Sequence, residues 1–336
     1  MATAGGENLE KLEDMIVRAA ESTAAHVQAA KAAIGNVIFG QDKVVEQALI
    51  TILSGGHALL VGVPGLAKTK LVETMGTALG LDARRVQFTP DLMPSDILGS
   101  EVLEESAGGR RSFRFLPGPV FAQLLMADEI NRASPRTQSA LLQAMQEQHV
   151  TVAGARHDLP KPFHVLATQN PLEQEGTYPL PEAQLDRFLM EIDVDYPDAD
   201  AERKILFDTT GAEESKAKAA MTADDLMSAQ RLVRRLPVGE SVVEAILKLV
   251  RSARPGPEAG DLGRLISWGP GPRASQALML VVRARALLDG RFAPSIDDVI
   301  ELAEPVLKHR MALTFAARAE GETIDNVIKQ LKARIG

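Results

Sequence analysis

The sequence contains no cysteine, which excludes disulfides, thiolate metal sites and cysteine nucleophiles. It has no basic surplus either: the formal net charge is −8 and the pI is about 5.4. A dedicated nucleic-acid binder usually carries a positive field, so the charge argues against one, though a local basic patch stays possible. No basic region followed by an apolar run opens the chain, so no signal peptide is visible. The longest mainly apolar stretches, near residues 120–127 and 242–250, are far short of a membrane span. Internal repeats and low-complexity tracts are absent too. These absences lead us to expect a soluble, cytoplasmic protein with no membrane segment and no nucleic-acid partner.

The composition that remains, 45% hydrophobic and 24% charged over 336 residues, is that of an ordinary globular chain. At about 150 residues per domain, the length suggests two domains. Residues 8–33 are Ala-rich with helical apolar spacing, and residues 38–53 read as a short turn followed by a helix. Then the texture changes. Short apolar runs at residues 58–61, 86–89, 123–127 and 164–168, and an alternating run at 188–194, read as strands. Helical segments such as 68–79 lie between them, which indicates a parallel sheet with helices on both faces. After Tyr196-Pro197 the strands stop. Helix starts are marked by Thr222 with Asp225, Ser241 with Glu244 and Ser295 with Asp298. Residues 255–272, rich in Gly and Pro, read as a loop, with Trp268 as a packing residue. We therefore place a domain boundary near residue 197, with a core at 1–197 and an all-helical region at 198–336.

The strongest chemical feature is Gly62-Val63-Pro64-Gly65-Leu66-Ala67-Lys68-Thr69, set between a strand and a helix. Backbone N–H groups there converge on phosphates, and the helix dipole favours anions. Lys68 would reach the β- and γ-phosphates of ATP, and Thr69 would offer a hydroxyl to Mg²⁺. Ala67 stands where the general pattern has a second glycine; an alanine is tolerated if φ there is negative, which is the expectation. Next, the apolar run 124–127 ends in Asp128-Glu129, about sixty residues later. Asp128 can hold the Mg²⁺ shell, and Glu129 can orient or deprotonate the attacking water. Asn170, at the end of another strand, could bond both the water and the γ-phosphate, or simply mark an Asn-Pro turn. Arg187 precedes the last strand, where a local ion pair is the plain alternative. Arg273 opens a helix, a position unfavourable to the dipole that suggests an anionic partner.

In this order the five features resemble Walker A, Walker B, sensor 1, the arginine finger and sensor 2 of AAA+ ATPases. The strings GVPGLAKT, QFTPDLMPSDILG (87–99), ADEINRASPRTQSALLQAMQE (127–147) and TYPLPEAQLDRF (177–188) are similar to signatures of the MoxR family. The resemblance runs over residues 35–315. It implies an α/β fold, a P-loop AAA+ αβα sandwich with a parallel sheet followed by an all-helical lid. It also implies two insertions: one within helix 2 at 99–117, with Gly108-Gly109 at a hairpin tip, and a hairpin at 149–163 before sensor 1, turning at Gly154. The inserts carry Arg110, Arg111, Arg114 and Arg156, which are either effector residues or an ordinary solvated surface. An adenine pocket near Phe39-Gly40-Gln41 is implied, with Gln41 as the candidate contact. The implied activity is ATP hydrolysis with Mg²⁺ by a ring, most simply a hexamer. The implied partners are a protein with a von Willebrand factor A domain and a client protein to be remodelled or matured. On this view Arg187 serves the neighbouring subunit's ATP, and Arg273 reaches the γ-phosphate when the lid closes. A nucleic-acid motor and a nucleotide-gated scaffold are the rival functions.

Overall fold

In the computed structural model the described residues are 3–105, 111–173, 175–211 and 215–335. Gly108-Gly109 and Arg110 lie outside them. The chain opens with two helices, α1 (Thr3–Gly35) and α2 (Asp42–Leu53). The α2 helix feeds β1 (Ala58–Val61), four apolar residues too short to be a helix and bounded by glycines. Next come α3 (Lys68–Leu79), β2 (Ala83–Gln87) and the single-turn α4 (Pro94–Leu98). A first hairpin follows, β3 (Gly99–Glu105) and β4 (Arg111–Pro117). Then come β5 (Leu124–Asp128), α5 (Pro135–Glu147) and a second hairpin, β6 (His149–Val152) and β7 (Ala155–Asp158). The sheet is completed by β8 (His164–Gln169), α6 (Glu182–Leu185) and β9 (Met190–Asp193).

Five strands form one sheet in the order β2-β5-β8-β1-β9, with every pair parallel. Because strand side chains alternate, each strand feeds two cores. Leu60, Leu124, Met126 and Leu166 pack against α2 and α3, while Leu59, Leu125, Ala127 and Val165 pack against α5. β5 is buried along its whole length. The sequence direction reverses at β1, whose neighbours β8 and β9 lie to either side. Ligands of open α/β sheets bind at such a switch point, at the carboxyl ends of the strands.

Beyond the sheet lie α7 (Ala199–Thr210), α8 (Ala223–Arg235), α9 (Glu240–Ser252), α10 (Pro272–Leu288), α11 (Ile296–Leu307), α12 (Phe315–Ala319) and α13 (Ile324–Lys332). Helices α8 to α13 share the cluster that covers one face of the sheet, so the apolar core is continuous from β1 to Ile328. Three helical expectations need correction. Capping boxes form at Thr222–Asp225 and Ser295–Asp298, but α9 begins at Glu240 behind Gly239, so Ser241 caps nothing. Residues 255–272 are not a plain loop. They hold a 3-10 segment (Pro257–Arg264) and β10 (Ile266–Trp268), which pairs antiparallel with β11 (Ala312–Leu313). The region is thus helical except for one ribbon too short to show a periodicity. The first insert sits behind α4, and no helix resumes between Pro117 and Leu124, so it does not interrupt a longer helix.

Two buried histidines mark the junction of sheet and helices. His57 accepts the N–H of Val165 on Nδ1 and lies 3.3 Å from the Met145 carbonyl through Nε2. His164 bonds the Gly56 carbonyl and meets Gln230 of α8 at 3.0 Å. Burial pushes both down, His57 to about 3 and His164 to about 4, so both are neutral at physiological pH. Among the described residues no helix is long and apolar enough to cross a membrane.

Candidate active site

Residues from two strand ends and one loop meet in a single pocket. It is lined by Lys68 and Thr69, by Asp128 and Glu129, and by Thr168 and Asn170, with the P-loop from Pro64 to Ala67 beside them. The loop depends on its glycines. A Cβ on Gly62 would sit 2.5 Å from the Val194 carbonyl, and Gly65 has φ +87°. Ala67 corrects the expectation: its φ is +55°, not negative. A left-handed residue directly before α3 turns successive N–H groups toward one concavity, the arrangement that cradles phosphate. An alanine there costs about 1 kcal/mol relative to a relaxed backbone. The ammonium of Lys68 donates to the carbonyls of Gly62 (2.5 Å) and Val63 (3.0 Å). Burial lowers its pKa, opposed by Asp128 and Glu129.

Glu129 also adopts a left-handed conformation, φ +55° and ψ +50°. Non-glycine residues held there cluster at functional sites and cost about 1–3 kcal/mol. Thr168 holds the geometry from β8: its hydroxyl donates to Asp128 Oδ1 at 2.5 Å and accepts the N–H of Glu129 at 2.9 Å. The Glu129 carboxylate accepts from Gln87 Nε2 at 2.5 Å and from Arg132 Nη1 at 2.9 Å. Asp128 accepts from Arg85. The Asn170 carboxamide oxygen accepts the Leu172 N–H, leaving its nitrogen as the donor for a ligand. Arg85, Gln87, Arg132 and Thr168 were not singled out in the sequence. The only signal for the first two is their i, i+2 spacing at the end of β2.

Among the described residues no group of three or more His, Asp or Glu side chains forms a metal cage. The pocket offers instead the Thr69 hydroxyl and the Asp128 carboxylate, a hard-oxygen pair of the kind Mg²⁺ uses when phosphates and waters complete its shell. Thr69 and Asp128 therefore fit this ion.

The remaining site residues lie elsewhere. Arg187 and Arg273 line a second pocket, which shares no residue with the first. Arg187 donates to the Leu142 carbonyl at 2.6 Å, a contact to α5 and not the ion pair that a lone arginine would suggest. Arg273 meets Asp186 at 3.2 Å. Asp186 also accepts from Arg310 at 2.8 Å, a buried arginine that in addition bonds the carbonyls of Phe188, Leu189 and Val306. Gln41 spends its amide on the Asp195 carbonyl at 2.7 Å and does not line the phosphate pocket. The described hairpin arginines are paired with carboxylates on their own hairpins: Arg111 with Glu105, Arg114 with Glu104 and Arg156 with Asp158.

A P-loop, a paired strand-end acid and a helical unit on one sheet define an AAA+ nucleotide-binding protein. Comparison agrees: the family model for the ATPase family associated with various cellular activities (AAA) matches residues 57–190, and that of the AAA lid domain matches residues 263–331. The chain is 41% identical to the protein named Chaperone MoxR1 of Mycobacterium tuberculosis, over 98% of this chain and 88% of that one. It is 34% identical to Protein MoxR of Paracoccus denitrificans, over 88% and 91%. A crystal structure from Cytophaga hutchinsonii, described as that of an inferred ATPase, superposes with a TM-score of 0.89 at 36% identity and covers 98% of both chains. The chain belongs to the MoxR family of AAA+ ATPases.

Proposed function

We propose that the chain hydrolyses MgATP and uses the energy, as a ring, to remodel or mature a partner protein. The observation that carries the ATPase reading is the convergence of Lys68, Thr69, Asp128, Glu129 and Asn170 on one pocket from three separate segments. Lys68 gives up two carbonyls to meet the β- and γ-phosphates. Thr69 and Asp128 would hold Mg²⁺, which would supply neutralisation of phosphate charge. Glu129, fixed by Thr168 and Arg132, takes the proton of the attacking water while Asn170 orients it.

The ring and the client belong to the same proposal. The separate matches to an AAA model (57–190) and an AAA lid model (263–331) support it, as does the separation of Arg187 and Arg273 from the P-loop pocket. Arg187, placed away from its own chain's P-loop, is suited to a neighbour's phosphates, while Arg273 would reach the γ-phosphate on lid closure. A relative bears the name chaperone, and the family resemblance suggests a von Willebrand factor A domain partner in the cytoplasm. The net charge of −8, together with hairpin arginines that already have carboxylate partners, favours a protein client over nucleic acid.

Binding of a fluorescent ATP analogue and phosphate release test the core of this reading. Lys68→Ala should abolish binding. Glu129→Gln should bind normally and lose at least about 100-fold in turnover. Turnover of the Gln variant within about tenfold of wild type would remove Glu129 as the base.

A further inference from the structure

Arg85 sits on β2 at the edge of the P-loop pocket. Its guanidinium donates to a single oxygen, Asp128 Oδ2, through Nε at 3.1 Å and Nη2 at 2.6 Å. The same Nη2 donates to Gln87 Oε1 at 2.7 Å, and Gln87 Nε2 donates to Glu129 Oε2. One guanidinium is thus bonded directly to the first acid and, through one amide, to the second. The parallel register sets Gln87 opposite Asp128, and the two-residue strand period puts Arg85 and Gln87 on one face of β2.

The two partners differ in freedom. The Arg85 side chain is 48% exposed, and that of Asp128 is 12% exposed. Asp128 is fixed on its other oxygen by Thr168, at the end of a fully buried strand. Arg85 can swing into solvent, while Asp128 cannot follow it. A hard divalent cation and a guanidinium both approach a carboxylate oxygen along its lone pairs, and they repel each other at that range. Asp128 Oδ2 therefore cannot serve both.

We propose that Arg85 is a positioning residue that exchanges with Mg²⁺ at Asp128. It keeps the carboxylate pair ordered until metal and nucleotide arrive, and so raises the metal concentration the site requires. Gln87 anchors Arg85 in that position. The inference rests on the reading of this pocket as a MgATP site.

The test measures binding of a fluorescent ADP analogue against free Mg²⁺, so no turnover is needed. Removing a competitor from a half-exposed pair should lower the Mg²⁺ midpoint about three- to tenfold in Arg85→Ala and in Arg85→Gln. Gln87→Ala, which removes the anchor and the bond to Glu129 but leaves the guanidinium in place, should lower it less. Affinity in EDTA should stay at the wild-type value, and circular dichroism melting should confirm that the variants fold. A midpoint that is unchanged or raised overturns the exchange. So does an equal loss of affinity with and without Mg²⁺, which would make Arg85 a plain phosphate contact. A different failure, wild-type protein that binds no nucleotide at any Mg²⁺ concentration, would overturn the P-loop reading itself.

Discussion

The two pockets are built from opposite materials. The P-loop pocket sits at strand ends, and each of its acids is already bonded by a cation or a hydroxyl of the same chain. The seam pocket sits where core meets lid. Asp186 is the one acid among its described lining residues, and it pairs with Arg273 and Arg310 while Arg187 bonds a carbonyl. The first has what phosphates, a metal and a water require. The second has a positive surplus and no loop to hold a phosphate. The contrast teaches that strand ends can gather acids, hydroxyls and a lysine in one place while the arginines collect at a separate seam.

The largest expected effect would break that contrast outright. If Arg187 serves a neighbour's nucleotide, Arg187→Ala should assemble and bind ATP but lose about 1,000-fold or more in turnover. Mixed with Glu129→Gln, it should regain partial activity, because some interfaces then join an intact Glu129 to an intact Arg187. A mixture that stays as inactive as its parts, although the two variants co-assemble, would make the seam pocket purely structural.

A middle-sized effect sharpens the difference between two of the seam arginines, Arg310 and Arg273. Arg310 is buried, with 3% of its side chain exposed, and Asp186 neutralises it. Arg273 is held by one bond and is 55% exposed. Asp186→Ala should therefore cost about 3 kcal/mol by leaving the buried Arg310 without a counter-charge. Arg273→Ala should cost under about 1 kcal/mol. Urea unfolding of both variants decides this, and equal losses would show that Arg273 is as structural as Arg310.

The smallest effect lies in the P-loop pocket. Ala67→Gly relieves a left-handed alanine and should stabilise the fold by up to about 1 kcal/mol, offset in part by the greater freedom of glycine in the unfolded chain. A small rise in melting temperature is the expected readout. A fall would show that φ +55° is not strained at this position.

What the sequence revealed followed from local punctuation. Glycine and proline bracket β1 and the P-loop, so residues 58–61 and 68–79 are legible to the residue. Elsewhere the strands drifted. β2 begins at Ala83, not residue 86, because Arg84 and Arg85 hide its alternation, and β9 spans only Met190–Asp193. The partners of the carboxylates were hidden for another reason. Arg85 and Thr168 lie about forty residues from Asp128, and only the parallel register of β2, β5 and β8 brings them together. Gln41 shows the converse. Its neighbourhood resembles an adenine site, yet its amide is consumed by a carbonyl 154 positions away. The lid ribbon of β10 and β11 is too short for any pattern to announce it.

The two hairpins are joined at their roots. Phe115 of β4 stacks on His157 of β7, with ring centroids 3.8 Å apart and planes at 18°. β4 leads into β5 and β7 leads into β8, each through a few residues. β5 ends at Asp128, and β8 ends beside Asn170. Each of these strands is about 17–20 Å long and packed in an interior that scarcely compresses. The pocket residues lie at one end of these two strands and the hairpins at the other. A load applied to either hairpin would therefore reach Asp128 and Asn170 through two stiff strands coupled at their roots.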